Sequence, residues 1–175
     1  GIIDLSSLSH LSGLTNTENL KYSNWKPCIP KEFDENHSIW DEIKKQDLML
    51  HTPYESFEPV VKMINEAAID PKVLAIKITL YRTSGNSPIV KALELAARNG
   101  KQVTVFIELK ARFDEKQNIE WATRLQNAGV IVIYGIVNLK LHAKMMMIVR
   151  KEEEEVLRYV HLSTGNYNEN TAKLY

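Results

Sequence analysis

Hydrophobic and polar positions change character along this chain. Residues 1–37 carry no clear period: Leu5 to Leu14 mixes leucine and serine at short spacing, and Pro27 and Pro30 follow without marking an element. From Ser38 the pattern sharpens. Phe57, Val60, Val61 and Ile64 fall on one helical face, in a run that opens at Ser56 and ends at Asp70-Pro71. Val73 to Tyr81 is apolar and β-branched, the composition of a buried strand. Ser87 and Pro88 supply an N-cap and a first-turn proline for a helix that runs through Leu93, Ala96 and Ala97 and stops at Gly100. Gln102 to Leu109 reads as the next strand. Asp114 and Gln117 then form a capping-box pair for a helix whose inner face is Ile119, Ala122 and Leu125, ending at Gly129. Val130 to Tyr134 is a third strand.

This β-α-β-α-β order predicts parallel strands joined by right-handed crossovers. The next link breaks the rule. Only Gly135 to Lys140 separates the third strand from the apolar run Leu141 to Val149, and a parallel return needs about a dozen residues. If that run pairs beside its predecessor, it is therefore expected to lie antiparallel to it. A turn over Lys151 to Glu155 reverses the chain again into Val156 to Leu162. The fold expected is α/β, a mixed sheet of parallel βαβαβ plus antiparallel strands, flanked by helices.

Composition narrows the class. The 175 residues are 44% hydrophobic and 25% charged, values of a globular chain. Lys+Arg and Asp+Glu are 22 each, so no global field draws the protein to nucleic acid or a membrane surface, and an anion site has to be built locally. The lone Cys28 cannot form an internal disulfide, which fits a reducing compartment. No apolar run has the length of a transmembrane segment. The chain opens on Gly1 rather than Met and stops at Tyr175 inside a motif, which reads as a piece of a longer protein.

The topology gathers the reactive residues. Arg82 follows the first parallel strand and Arg112 the second. His142 opens the antiparallel strand, beside the carboxyl end of the third. His161 and the loop Ser163 to Asn166 close the last strand at the same edge, where open α/β sheets bind ligands. In a strand, His142 and Lys144 share a face, about 7 Å apart. An imidazole is nucleophilic near neutral pH, and a neighbouring ammonium disfavours its protonation and attracts phosphate. A bare His-x-Lys is more often a surface histidine beside a solvated lysine; convergence with the other residues favours the nucleophile. The guanidinium forks of Arg82 and Arg112 match phosphate oxygens, with a surface ion pair of Arg112 to Asp114 or Glu115 as the plain alternative. His161 is expected to support rather than react. Gly165 and Asn166 either turn the chain or offer N–H groups to an anion. Lys77 and Lys110 are expected to flank the edge, Glu152 to Glu155 to be a solvated turn, and Met145 to Met147 to pack in the strand. No cysteine or histidine spacing suggests zinc.

His-x-Lys followed by a small-residue-Asn loop resembles the half-motif of the phospholipase D superfamily, and the fold implied is phospholipase D-like. That family places an Asp where this chain has Val149, which disfavours phosphodiesterase chemistry. The runs Leu74 to Arg82, Glu108 to Glu115, Leu139 to Lys144, His161 to Asn168 and Thr171 to Tyr175 more closely resemble the first catalytic domain of the polyphosphate kinase 1 family. On that resemblance residues 38–175 are that domain, truncated, and residues 1–37 the tail of a preceding helical domain or a linker. It implies reversible transfer of the terminal phosphate of ATP, leaving ADP, to inorganic polyphosphate. His142 matches the phosphorylated histidine, Tyr175 a nucleotide-contacting tyrosine, and Arg82 and Arg112 positions associated with a Mg2+–phosphate site. A guanidinium has no lone pair for a metal, so the arginines are expected to hold the phosphates that Mg2+ bridges. The family also implies an N-terminal domain and a second catalytic domain in the same polypeptide, homo-oligomers, and a cytoplasmic location with some membrane association. This chain alone is expected to fold without turning over. The competing readings are a phosphodiesterase half-site and a non-catalytic polyanion-binding module.

Overall fold

The computed structural model describes residues 4–23, 25–33, 36–108, 115–136 and 138–174. Its centre is a five-stranded sheet of order β3-β2-β1-β4-β5, formed by β1 (Val73–Leu80), β2 (Gln102–Ile107), β3 (Ile131–Tyr134), β4 (Lys144–Lys151) and β5 (Val156–Ser163). β1, β2 and β3 are parallel, and β4 and β5 run antiparallel to their neighbours. The helices are α1 (Ser9–Ser12), α2 (Ile39–Lys45), α3 (Glu58–Ile69), α4 (Pro88–Arg98) and α5 (Glu115–Asn127).

Local sequence sets the helix ends. Ser87 Oγ accepts from the Val90 N–H at 3.4 Å, capping α4. At the other end Gly100, at φ 79°, donates to Ala97 O while Lys101 N donates to Ala96 O. Gly129, at φ 90°, repeats the arrangement after α5, donating to Gln126 O while Val130 N donates to Leu125 O. Both are paired bonds closed by a left-handed residue, which a side chain would strain, and each turns a helix straight into the following strand.

Successive crossovers in one direction put α4 and α5 on the same face of the sheet, with α3 beside them. Ile64 of α3, Leu93 of α4 and Leu125 of α5 are fully buried there against Ile76, Val105, Met146 and Ile148. The inner face of α5 departs from expectation: Ile119 is 54% exposed and Asn118 only 4%. Met146 packs in the core as expected, whereas Met145 faces outward. On the opposite face of the sheet Ile131, Met145, Val160 and Leu162 are exposed, although parallel strands are usually covered on both sides.

Two expectations about the strands need correction. The antiparallel β4 pairs with β1, not with β3. After β3 the chain returns past the end of β2, where Leu141 bonds Glu108, before β4 begins beside β1. Nine residues reach up to about 30 Å, more than the roughly 14 Å of three inter-strand steps, so a short link does not force pairing with the preceding strand. Glu152 is likewise no solvated turn residue. Its carboxylate accepts from Tyr159 Oη at 2.6 Å, from Lys44 Nζ at 2.9 Å and from Arg150. The Tyr159 bond, ahead of the two cations, holds its pKa down at about 2.

The first residues are attached to the domain. The backbones of Cys28 and Ser56 bond at 2.8 Å, and Phe33 is buried in the core. Among the described residues no helix is long and apolar enough to cross a membrane.

Candidate active site

Strand order 3-2-1-4-5 makes the boundary between β1 and β4 the place where connections diverge, the position at which open α/β sheets carry their ligand crevice. Tyr81 and Arg82 leave β1 there, and β4 starts there at Lys144. Three polar side chains build this corner. Thr79 Oγ1 donates to Ala143 O at 2.7 Å and accepts from Met145 N at 3.1 Å, fastening the start of β4 to the end of β1. Glu108, just past β2, accepts the Leu141 N–H at 2.9 Å and so holds the crossing segment above the sheet. Asn118 Nδ2 donates to Tyr81 O at 3.0 Å and to Glu108 O at 2.9 Å, tying the ends of β1 and β2 together.

His142 precedes β4 and is exposed. Lys144 is 6% exposed, and its side chain curls back so that Nζ bonds His142 O at 2.7 Å. Nζ also lies 3.1 Å from both imidazole nitrogens. An ammonium bonded in the ring plane to one lone pair is much farther from the other nitrogen, so the equal separations place Nζ over the ring face. The one in-plane lone pair of the neutral ring, on whichever nitrogen carries no proton, is not capped by this ammonium. Burial, and then the positive charge of Arg82, lower the Lys144 pKa; a poorly hydrated ammonium gains more from an incoming phosphate than a solvated one does.

Tyr81 stands at the middle of the cluster. Its ring meets the His142 ring edge-on, with centroids 5.2 Å apart. Arg82 Cζ, Lys140 Nζ and Lys144 Nζ lie 5.4, 5.7 and 5.3 Å from the Tyr81 centroid. The corner thus concentrates positive charge around an accessible imidazole, an arrangement suited to a phosphorylated substrate.

The remaining expected residues divide. Ser163 lies opposite Lys144, and His161 opposite Met146, so His161 and Lys144 share the helix-covered face. His161 Nδ1 and Tyr167 Oη are 2.8 Å apart, and burial lowers the His161 pKa to about 4. It is neutral at physiological pH and held from behind by a core tyrosine. The Gly165 N–H bonds Ser163 Oγ at 3.1 Å, so this donor serves the turn. Asn166 has a buried Oδ1 without a hydrogen-bond partner. Lys77 sits mid-strand in β1, opposite Thr104 and Met147, rather than at the edge. Arg112, Lys110, Asp114 and Tyr175 lie outside the described residues. Sequence reasoning missed Thr79, Tyr81, Glu108 and Asn118. The available signal was polarity in apolar company: a threonine inside a buried strand, and an asparagine one position from the expected inner face of a helix.

Comparison with known proteins gives this corner a family. The family model for polyphosphate kinase C-terminal domain 1 matches residues 38–175. The polyphosphate kinase of Exiguobacterium sibiricum is 56% identical over 90% of this chain and 22% of its own length. That of Halalkalibacterium halodurans is 53% identical over 100% of this chain and 25% of its own length. The chain thus spans about a quarter of the length of these relatives. The crystal structure of polyphosphate kinase from Porphyromonas gingivalis superposes with a TM-score of 0.79 at 37% identity, covering 97% of this chain and 28% of that one. A phospholipase D family member, Nuc from Salmonella typhimurium, superposes with a TM-score of 0.41 at 17% identity, a likeness too remote to add to the assignment. By family model, relatives and fold together, the chain belongs to the polyphosphate kinase family, within which it matches C-terminal domain 1.

Proposed function

We propose that the protein containing this chain is an ATP:polyphosphate phosphotransferase and that His142 carries the phosphoryl group. The observation that supports this most directly is the accessible His142 ring, its in-plane lone pair uncapped by Lys144, set among Lys144, Arg82 and Lys140. A ring nitrogen attacks the terminal phosphorus of ATP; the N–P bond forms as the P–O bond to ADP breaks, its electron pair leaving on ADP. In the second half a terminal oxygen of polyphosphate attacks the same phosphorus and the N–P bond breaks, returning the imidazole and lengthening the chain by one phosphate. Each half is reversible. Charge on the transferring oxygens meets Lys144 and Arg82, and positioning plus this electrostatic stabilisation supply the catalysis.

Arg112 is proposed to share the phosphates with Arg82, Asn166 to border them, Tyr175 to contact the nucleotide, and neutral His161 to support the site. Mg2+ is proposed to travel with the phosphates of the nucleotide. The charged side chains around the Tyr81 ring are the cations Arg82, Lys140 and Lys144, Glu108 at the same corner accepts the Leu141 N–H, and no group of three His, Cys, Asp or Glu among the described residues fits a metal ion; Arg82 cannot ligate one. The ion would lower the negative charge that Arg82 and Lys144 meet. The exposed apolar sheet face and the quarter-length span support a working site completed by other domains of the same polypeptide; a cytoplasmic homo-oligomer with some membrane association is proposed on the family resemblance alone.

The test is to incubate the full-length protein with γ-labelled ATP and look for an acid-labile, alkali-stable label, with His142→Ala in parallel. Label on the parent and none on the variant is expected. A label that survives the substitution refutes His142 as carrier.

A further inference from the structure

Histidines that work as nucleophiles are usually oriented by a carboxylate or carbonyl bonded to one ring nitrogen. Among the described residues no such group bonds His142. Its ring neighbours are the Lys144 ammonium over one face and the Tyr81 ring meeting it edge-on, at 5.2 Å and 75°. Tyr81 is only partly buried and lies outside the hydrophobic core, so packing the fold is not its evident task. Its backbone is nonetheless held, the carbonyl accepting from the buried Asn118.

The same ring lies 5.3 to 5.7 Å from Lys144, Arg82 and Lys140. Each of these cations is drawn to the ring without any added negative charge. An aromatic face attracts cations through its quadrupole and carries no net charge, so the cations gather while the positive potential survives.

We propose that Tyr81 is a positioning residue of the transfer site: its ring fixes the orientation of the His142 imidazole and gathers Arg82, Lys140 and Lys144 around it. The inference rests on His142 being the phosphoryl carrier. The ring, not the hydroxyl, is the working part. It acts through His142 and the cations and does not touch the transferring phosphorus.

The test uses the full-length protein with three replacements at this position: Tyr81→Phe, Tyr81→Leu, and pentafluorophenylalanine, which keeps a ring of similar shape but reverses its quadrupole. The initial rate of acid-labile labelling by γ-labelled ATP is measured alongside steady-state kcat and KM, with thermal melts to confirm folding. Tyr81→Phe is expected within about twofold of the parent, and the other two at least about tenfold slower, with the loss mainly in kcat. If Tyr81→Leu does not fold, the fluorinated ring decides. A parental labelling rate with the fluorinated ring, or a Tyr81→Phe defect as large as that of Tyr81→Leu, overturns the inference. His142→Ala is run beside them. Label surviving in that variant refutes the phosphohistidine reading itself, an outcome distinct from the failure of Tyr81.

Discussion

Thr79 offers a direct way to loosen the His142 corner without touching a charged group. Thr79→Val keeps β-branching and nearly the same volume but removes the hydroxyl that donates to Ala143 O at 2.7 Å and accepts from Met145 N at 3.1 Å. Ala143 is exposed, so water can replace the first bond. The Met145 N–H lies between paired strands and has no equivalent substitute. Leaving a buried donor unsatisfied costs about 1–3 kcal/mol, so local opening of this corner should become about 2 kcal/mol easier, roughly a 30-fold change. Native-state amide exchange reads this directly. The Met145 amide should exchange about 30-fold faster in the variant, while Ile148, deeper in β4, changes little. Thr79→Ser, which restores the hydroxyl, should recover most of the protection. Labelling of His142 by γ-labelled ATP should slow as well, since a displacement of about 1 Å can lower a rate about a hundredfold. Unchanged Met145 exchange together with unchanged labelling would refute the idea that this hydroxyl sets the geometry.

Other consequences are open to measurement. His161 has its folded pKa lowered to about 4 from an ordinary 6.5, so the unfolded chain binds more protons between those values; stability is full above pH 6.5 and falls as pH drops to about 4, by roughly 3 kcal/mol. Urea midpoints against pH should show that fall, and His161→Gln should flatten it. Glu152, held at about 2, contributes stability that is present above about pH 4.5 and lost as pH falls toward 2. Glu152→Gln should destabilise the domain by about 1–3 kcal/mol at neutral pH, seen as a lower melting temperature, while phosphorylation of the folded enzyme stays unchanged. Lys144→Met should slow His142 phosphorylation about a hundredfold or more, and Lys144→Arg should restore little, because the bulkier guanidinium does not fit the buried position from which the ammonium bonds His142 O. The isolated chain, mixed with ATP and polyphosphate, should show no sustained chain growth; growth would mean that the site is complete without further domains.

What the sequence determined by itself were the features that local chemistry encodes. Ser87, Gly100 and Gly129 mark helix ends through side-chain caps and left-handed backbone, and alternating strand and helix periods give a parallel β-α-β-α-β order. The His-x-Lys motif and Arg82 also stood at a recognisable edge. The tertiary structure decided everything that depended on which distant segments meet. Link length bounds how far residues 135–143 reach but not where they land, so only the fold brings β4 beside β1 and His142 beside Tyr81. An inner helix position is settled by what lies opposite, which is why Asn118 bonds two strand ends while Ile119 faces out. Glu152 looked like one acid among four until Tyr159, Arg150 and Lys44 closed around it. Lys144 is altered most: in sequence it is a charge two residues from His142, and in the fold it is a buried ammonium above the ring. Burial, and the dielectric that comes with it, belong to the assembled chain.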